Sequence, residues 1–181
     1  MSDATPSLLP AAIAPRAFWV APHLLAGPYP GALDSREHDE RLQALLGLGV
    51  TNVVTLMEAD ETNHSGVPFR PYAATLQAAG VDVQRFAIRD VSTPSVDTVI
   101  AVLDAIDAAL AAGGTVYVHC WGGRGRTGVI VGCWLVRHGL AAPADAVGAL
   151  CRLRAACVDH EVDVPDTAEQ ARRIMTWAPG R

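Results

Sequence analysis

The sequence predicts an α/β fold: a three-layer sandwich whose largely parallel central sheet is flanked by helices. Three observations lead there. Short apolar runs alternate with longer stretches of helical periodicity, the order produced when parallel strands are joined by crossover helices. The run VTNVVTL is apolar along most of its length rather than alternating, as a strand covered on both faces requires. A chain of 181 residues, 50% hydrophobic and 18% charged, can bury one core and is too short for two ordinary domains. Residues 1–17 read as a loosely ordered leader and residues 18–181 as a single domain.

The elements follow in order. Residues 18–25 read as a first strand, and AGPYPGALDS is punctuated by Gly and Pro as a loop. Asp34 or Ser35 can cap a helix that carries Leu42, Leu45 and Leu46 on one side and stops at Gly49. VTNVVTL is the next strand, and EADETNHSGVPFRP is a polar loop in which Glu61 and His64 could border a pocket. A short helix over 72–79 leads to the strand VDVQRFAI. Residues 95–112 place Val96, Val99, Ile100, Leu103, Ile106 and Leu110 on one face, an amphipathic helix. TVYVHC is a strand, a helix opens near Arg126, and two more are expected over 143–156 and 167–177.

Composition excludes several classes. Fourteen basic against nineteen acidic residues give a net charge of -5 with no basic run, which argues against nucleic acid or an anionic membrane as the main partner. Cys120, Cys133, Cys151 and Cys157 fit neither a disulfide framework nor paired zinc ligands, so a reducing cytoplasm is the natural compartment. Cys133, Cys151 and Cys157 read as packing residues. No cluster of His, Asp or Cys has metal-ligand spacing, and no cofactor is implied. The first residues lack the basic start of a signal peptide, and no apolar run approaches the roughly 20 residues of a spanning helix.

One loop concentrates the chemistry: VHCWGGRGRTG, residues 118–128. From Gly123 it matches the dinucleotide pattern G-x-G-x-x-G. That reading needs an acidic residue about 20 positions on, at the end of a strand. The candidate, Asp145, lies in the helical stretch AAPADAVGALCRLR, and three strands already precede the loop. The alternative centres on Cys120. A strand ending there and a helix starting near Arg126 leave the amides of Trp121, Gly122, Gly123, Arg124, Gly125 and Arg126 free to converge on one anion. The same field stabilises a thiolate at Cys120. Arg126 offers a planar fork of donors for phosphate oxygens. Thr127 can donate its hydroxyl to the sulfur, and His119 braces the loop through its ring nitrogens. Trp121 either lines the pocket mouth or packs under the loop.

The string HCWGGRGRTG resembles the active-site loop of the cysteine-dependent protein tyrosine and dual-specificity phosphatases, His-Cys-x-x-Gly-x-x-Arg-Ser/Thr. The resemblance runs from about Gly27 to the C-terminus, and the length is similar to the compact dual-specificity-like, bacterial branch. It implies metal-free, two-step hydrolysis of a phosphate monoester through a phosphocysteine. It also implies a general acid on a loop upstream. In FAIRDVSTPS that residue is Asp90, thirty positions before Cys120 (120 − 90 = 30), with Asp60, Asp82 and Asp97 as rivals. Asp97 is explained by capping at a helix start. Gln170, in DTAEQARR, resembles the glutamine that places the hydrolytic water in some members; as a capping-box partner of Thr167 it needs no such role.

The expected substrate is a phosphorylated protein or peptide carrying phosphotyrosine, with phosphoserine and phosphothreonine as extensions. A phosphoinositide or small phosphorylated metabolite is the alternative enzyme substrate. A non-catalytic phosphate-binding module is disfavoured by the joint presence of Cys120, Arg126 and Asp90. Arg124 stands where the phosphoinositide-cleaving branch carries a lysine, whereas Trp121 stands where that branch carries another.

Overall fold

The structure, a computed structural model, describes residues 8–181. Strands β1 (Phe18–Ala21) and β2 (Leu24–Gly27) pair antiparallel, so the single strand expected over 18–25 is a hairpin. Pro22 has no N–H for a ladder, and His23 takes a positive φ of 64°, which reverses the chain. Helix α1 (Ser35–Gly47), strand β3 (Asn52–Thr55), helix α2 (Ala73–Ala78), strand β4 (Asp82–Arg85) and helix α3 (Val96–Ala111) follow. Strand β5 (Val116–His119) precedes helices α4 (Gly125–Arg137), α5 (Ala146–Leu153) and α6 (Ala168–Met175). The sheet order is β1-β2-β5-β3-β4, and every pairing except β1 with β2 is parallel.

Successive side chains point to opposite faces of the sheet, which divides the core in two. Ala26, Val54, Val116 and Val118 pack with α3, α4, α5 and α6 through Leu103, Ile130, Leu150 and Ile174. Leu25, Val53 and Tyr117 face the other way, against Leu42 and Leu45 of α1 and Leu76 of α2. The three layers match the sequence expectation, and β5 lies at the centre of the sheet, where its end can carry a site shielded on both sides.

Caps follow the sequence closely. The Asp34 carboxylate accepts from the Glu37 amide at 2.9 Å, so Asp34 rather than Ser35 caps α1. The Ser95 hydroxyl accepts from the Thr98 amide at 3.1 Å. α5 is shorter than the helix expected over 143–156. Ile13 and Ala17 are buried in the second core, and the Val158 amide donates to the Pro15 carbonyl at 2.8 Å. Residues 10–17 thus pack against the domain, unlike the loose leader expected there; residues 1–7 of that leader lie outside the described residues. No described helix is long and apolar enough to cross a membrane.

Candidate active site

The chain leaves β5 at His119 and enters α4 at Gly125, so the five residues between them sit at the C-terminal edge of a parallel sheet and at a helix N-terminus. Both features favour an anion. Among the described residues, the amides of residues 121–126 donate to no backbone carbonyl, and the first such bond of the helix is Gly128 N–H to Arg124 O at 2.8 Å. They are free to face an anion. Cys120, 3% exposed, begins this curl.

Gly123 shows why the loop is glycine-rich. Its φ is +72°, and a Cβ there would lie 2.5 Å from the Gly27 carbonyl carbon and 2.6 Å from the Pro28 nitrogen. The obstacles are backbone and cannot swing away. Gly123→Ala should therefore destabilise the protein by about 1 to 3 kcal/mol and, by shifting the amides, lower kcat/KM by up to about 10². Thermal denaturation and turnover of a small aryl phosphate check both effects; an alanine variant with unchanged values would refute the close approach.

His119, the last residue of β5, is fully buried. Its Nδ1 lies 3.0 Å from the Cys120 carbonyl, which can only accept, so Nδ1 carries the proton. Nε2 then accepts from the Tyr72 hydroxyl at 2.6 Å. Burial pushes the ring pKa down to about 3, which keeps the ring neutral. Stacking on Tyr117 at 5.7 Å holds the ring from one side.

Arg126 is 1% exposed and is the most heavily bonded side chain of the site. Nη1 and Nη2 donate to the two Glu61 oxygens at 2.7 and 2.8 Å, and Nη1 also donates to the Ile88 carbonyl at 2.9 Å. Nη2 lies 2.8 Å from Asp90 Oδ1. Burial alone would weaken its hold on its proton; Glu61, Cys120 and Asp90 outweigh that and raise its pKa. Nε is buried with no hydrogen-bond partner. A buried N–H left unpaired is costly, and a phosphate oxygen in the cradle would satisfy it. Glu61 is the residue that the sequence placed no closer than the pocket border. Only the fold brings it across the 65 positions to Arg126.

Asp90 joins the same cluster while keeping 41% of its side chain exposed, a position from which it can exchange protons with solvent. The next residue, Val91, has a φ of 60°, an uncommon state for a β-branched side chain. That turn holds about 1 to 3 kcal/mol of strain next to the carboxylate. Gln170 steadies it: Nε2 donates to the Ser92 carbonyl at 2.9 Å, while Oε1 accepts from the Thr167 amide at 3.2 Å. The capping box is therefore formed, and both ends of the Gln170 amide are occupied.

Other expectations fare differently. The Thr127 hydroxyl is buried without a hydrogen-bond partner, so the donation expected toward the Cys120 sulfur is not made in this structure. Arg124 does not reach freely into solvent. Its Nε donates to Asp166 Oδ1 at 3.2 Å and its Nη1 lies 3.6 Å from Asp159 Oδ2. Trp121 lies against His64 and Phe69, with ring centroids at 4.2 and 5.5 Å, and its carbonyl accepts from the Tyr29 amide at 2.9 Å. All four cysteines are free. Cys133 and Cys157 are buried, and burial pushes the Cys133 thiol up to about 12. Cys151 is exposed, contrary to the packing role expected for it.

Together these groups can hold a tetrahedral dianion above a thiol, neutralise it with one buried guanidinium and supply a proton from a half-exposed carboxyl. Residues 31–140 match the family model "Tc-R-P: Polymorphic toxin system, DSP-PTPase phosphatase". The chain is 33% identical over 120 residues to phosphatidylglycerophosphate phosphatase PTPMT1 of Arabidopsis thaliana, covering 66% of this chain and 32% of that one. It thus spans about a third of that relative's length. Among solved structures it is similar to Tk-PTP in the active form, with a TM-score of 0.67, 25% identity and coverage of 88% of this chain and 94% of that one. It is also similar to PTPMT1 in complex with PI(5)P, with a TM-score of 0.66, 21% identity and coverage of 89% and 93%.

Proposed function

Because the chain belongs to the DSP-PTPase phosphatase family of the cysteine-dependent protein tyrosine phosphatase superfamily, we propose that it hydrolyses phosphotyrosine on proteins through a phosphocysteine. The observation that carries this reading is the buried Arg126 fork, gripped by Glu61 and Asp90 with Nε unpaired, on the helix that starts five residues after Cys120 (125 − 120 = 5). In the first step the Cys120 thiolate attacks phosphorus, the P–O bond breaks and the leaving oxygen takes the proton of Asp90. In the second, water attacks phosphorus, the P–S bond breaks and the Asp90 carboxylate accepts the water's proton. No step requires a metal ion, and the thiol chemistry suits a reducing compartment such as the cytoplasm.

The aromatic edge formed by Trp121, His64 and Phe69 supports an aryl leaving group, which gains from offset or edge contacts with such rings. A second reading, a phospholipid head group, draws on the name of the Arabidopsis relative. Against it, Arg124 is engaged by Asp159 and Asp166 and gives no free cation for a second phosphate beside the loop. Side-by-side kcat/KM values for phosphotyrosine peptides, phosphothreonine peptides and phosphatidylglycerophosphate or phosphoinositide vesicles test the choice. Phosphotyrosine peptides should be turned over most efficiently; faster hydrolysis of the lipids would replace the first reading with the second.

A further inference from the structure

A cleft of about 540 Å³ opens beside the phosphate loop, with Trp121, the neighbour of Cys120, on its wall. Tyr29 and Phe69 continue that wall, and exposed apolar side chains, Leu33, Val67 and Val158, stand around it. Its charge is one-sided. Arg16, Arg41 and Arg70 line it, and no Asp or Glu does, in a chain whose net charge is -5.

The three arginines are not equally engaged. Arg41 donates to Glu37 and to the Gly31 carbonyl, and Arg16 lies 3.9 Å from Asp159. Arg70 has no carboxylate within ion-pair distance among the described residues and is exposed. Its backbone is nonetheless fixed, because the Tyr29 hydroxyl donates to the Arg70 carbonyl. Arg41 and Arg70 both lie near enough to Tyr29 for their charges to oppose the rise that burial causes in its hydroxyl pKa. A free guanidinium on a fixed backbone, above an apolar and aromatic floor, is complementary to a carboxylate flanked by apolar groups.

We propose that this cleft is the docking subsite for the residues that flank the phosphorylated side chain of a protein substrate, with an acidic residue on Arg70 and an apolar neighbour on the aromatic floor. The proposal rests on the protein-phosphatase reading above. An extended peptide advances about 3.3 to 3.6 Å per residue, so positions close to the phosphotyrosine are the ones that reach a cleft edged by Trp121. A peptide suits the shape better than a bilayer does, because the surface is concave and a membrane presents a plane.

The test uses the full chain and pairs of phosphotyrosine peptides that differ only in Glu against Gln at the positions next to the phosphotyrosine, each with apolar residues beyond. The native protein should prefer the Glu peptide by about tenfold in kcat/KM, a difference of about 1.4 kcal/mol, and the preference should shrink as salt is raised. Arg70→Gln should bring the ratio to about one, and Arg70→Glu should favour a Lys-flanked peptide instead. Turnover of 4-nitrophenyl phosphate by the same preparations reports the phosphate loop alone. Its absence in the native protein would refute the phosphatase reading, whereas its presence with equal rates on the two peptides would refute the cleft alone. A parallel fall of that small-substrate rate in the Arg70 variants, or Arg70-dependent turnover of anionic lipid vesicles without a peptide preference, would also overturn the proposal.

Discussion

Cys120→Ser should yield a folded protein whose hydrolysis of any phosphate monoester is no faster than a mock preparation. The substitution exchanges sulfur for oxygen at a site that is 3% exposed and leaves the amides, His119 and Arg126 in place, so the thermal transition should barely move. Sulfur is the stronger nucleophile of the two, and a serine hydroxyl at this position needs a base. None is available. His119 is the nearest imidazole in sequence, and both its nitrogens are committed, to the Cys120 carbonyl and to the Tyr72 hydroxyl. Phosphate or vanadate should still protect the variant against heat, because the cradle is intact. Turnover by the serine protein would remove the cysteine from the mechanism.

Asp90→Asn should slow the reaction by about 10² to 10⁴ on substrates with poor leaving groups. The amide keeps the shape and the contact with Arg126 Nη2 through its oxygen, so the site should stay assembled. What it loses is the proton. The defect should shrink for 4-nitrophenyl phosphate, whose leaving oxygen needs little assistance, and the fall of kcat/KM on the alkaline side should disappear. The sign is fixed by the role: an acid must be protonated to act, so activity falls as pH rises past its titration, and a group that cannot titrate cannot produce that limb. A variant with the native rate on an alkyl phosphate would move the acid elsewhere, with Asp60 the next candidate.

What the sequence made legible was local. The strand, loop and helix around HCWGGRGRTG could be read because the glycines, the apolar strand and the apolar helix are contiguous. The Thr167 capping box could be read because its partners are three residues apart. Even the misread hairpin carried a local signal, since Pro22 interrupts the apolar run and a proline demotes a strand. The exposure of Cys151 was likewise encoded: Ala146 and Leu150, four apart, form the buried face of α5, and the next position turns outward.

What could not be read depends on distant loops meeting. Glu61 was one polar residue among many in EADETNHSGVPFRP until folding set it against Arg126. The ion pairs of Arg124 were hidden because Asp159 and Asp166 lie 35 and 42 positions away (159 − 124 = 35; 166 − 124 = 42). Gln170 was legible as a cap, but its second bond, to the Ser92 carbonyl, ties α6 to the loop that carries Asp90. Charge pairing across loops has no period, so spacing could not announce it.

The central claim is a phosphoryl group carried on Cys120. Rapid mixing of the native protein with excess substrate, acid quenching within the first turnover and mass spectrometry of the peptides would locate that group directly. A phosphoryl group on Cys120, formed before the steady state, approaching one per protein molecule and absent from Cys120→Ser, is the expected result. Full turnover with the phosphoryl group on another residue would contradict the account.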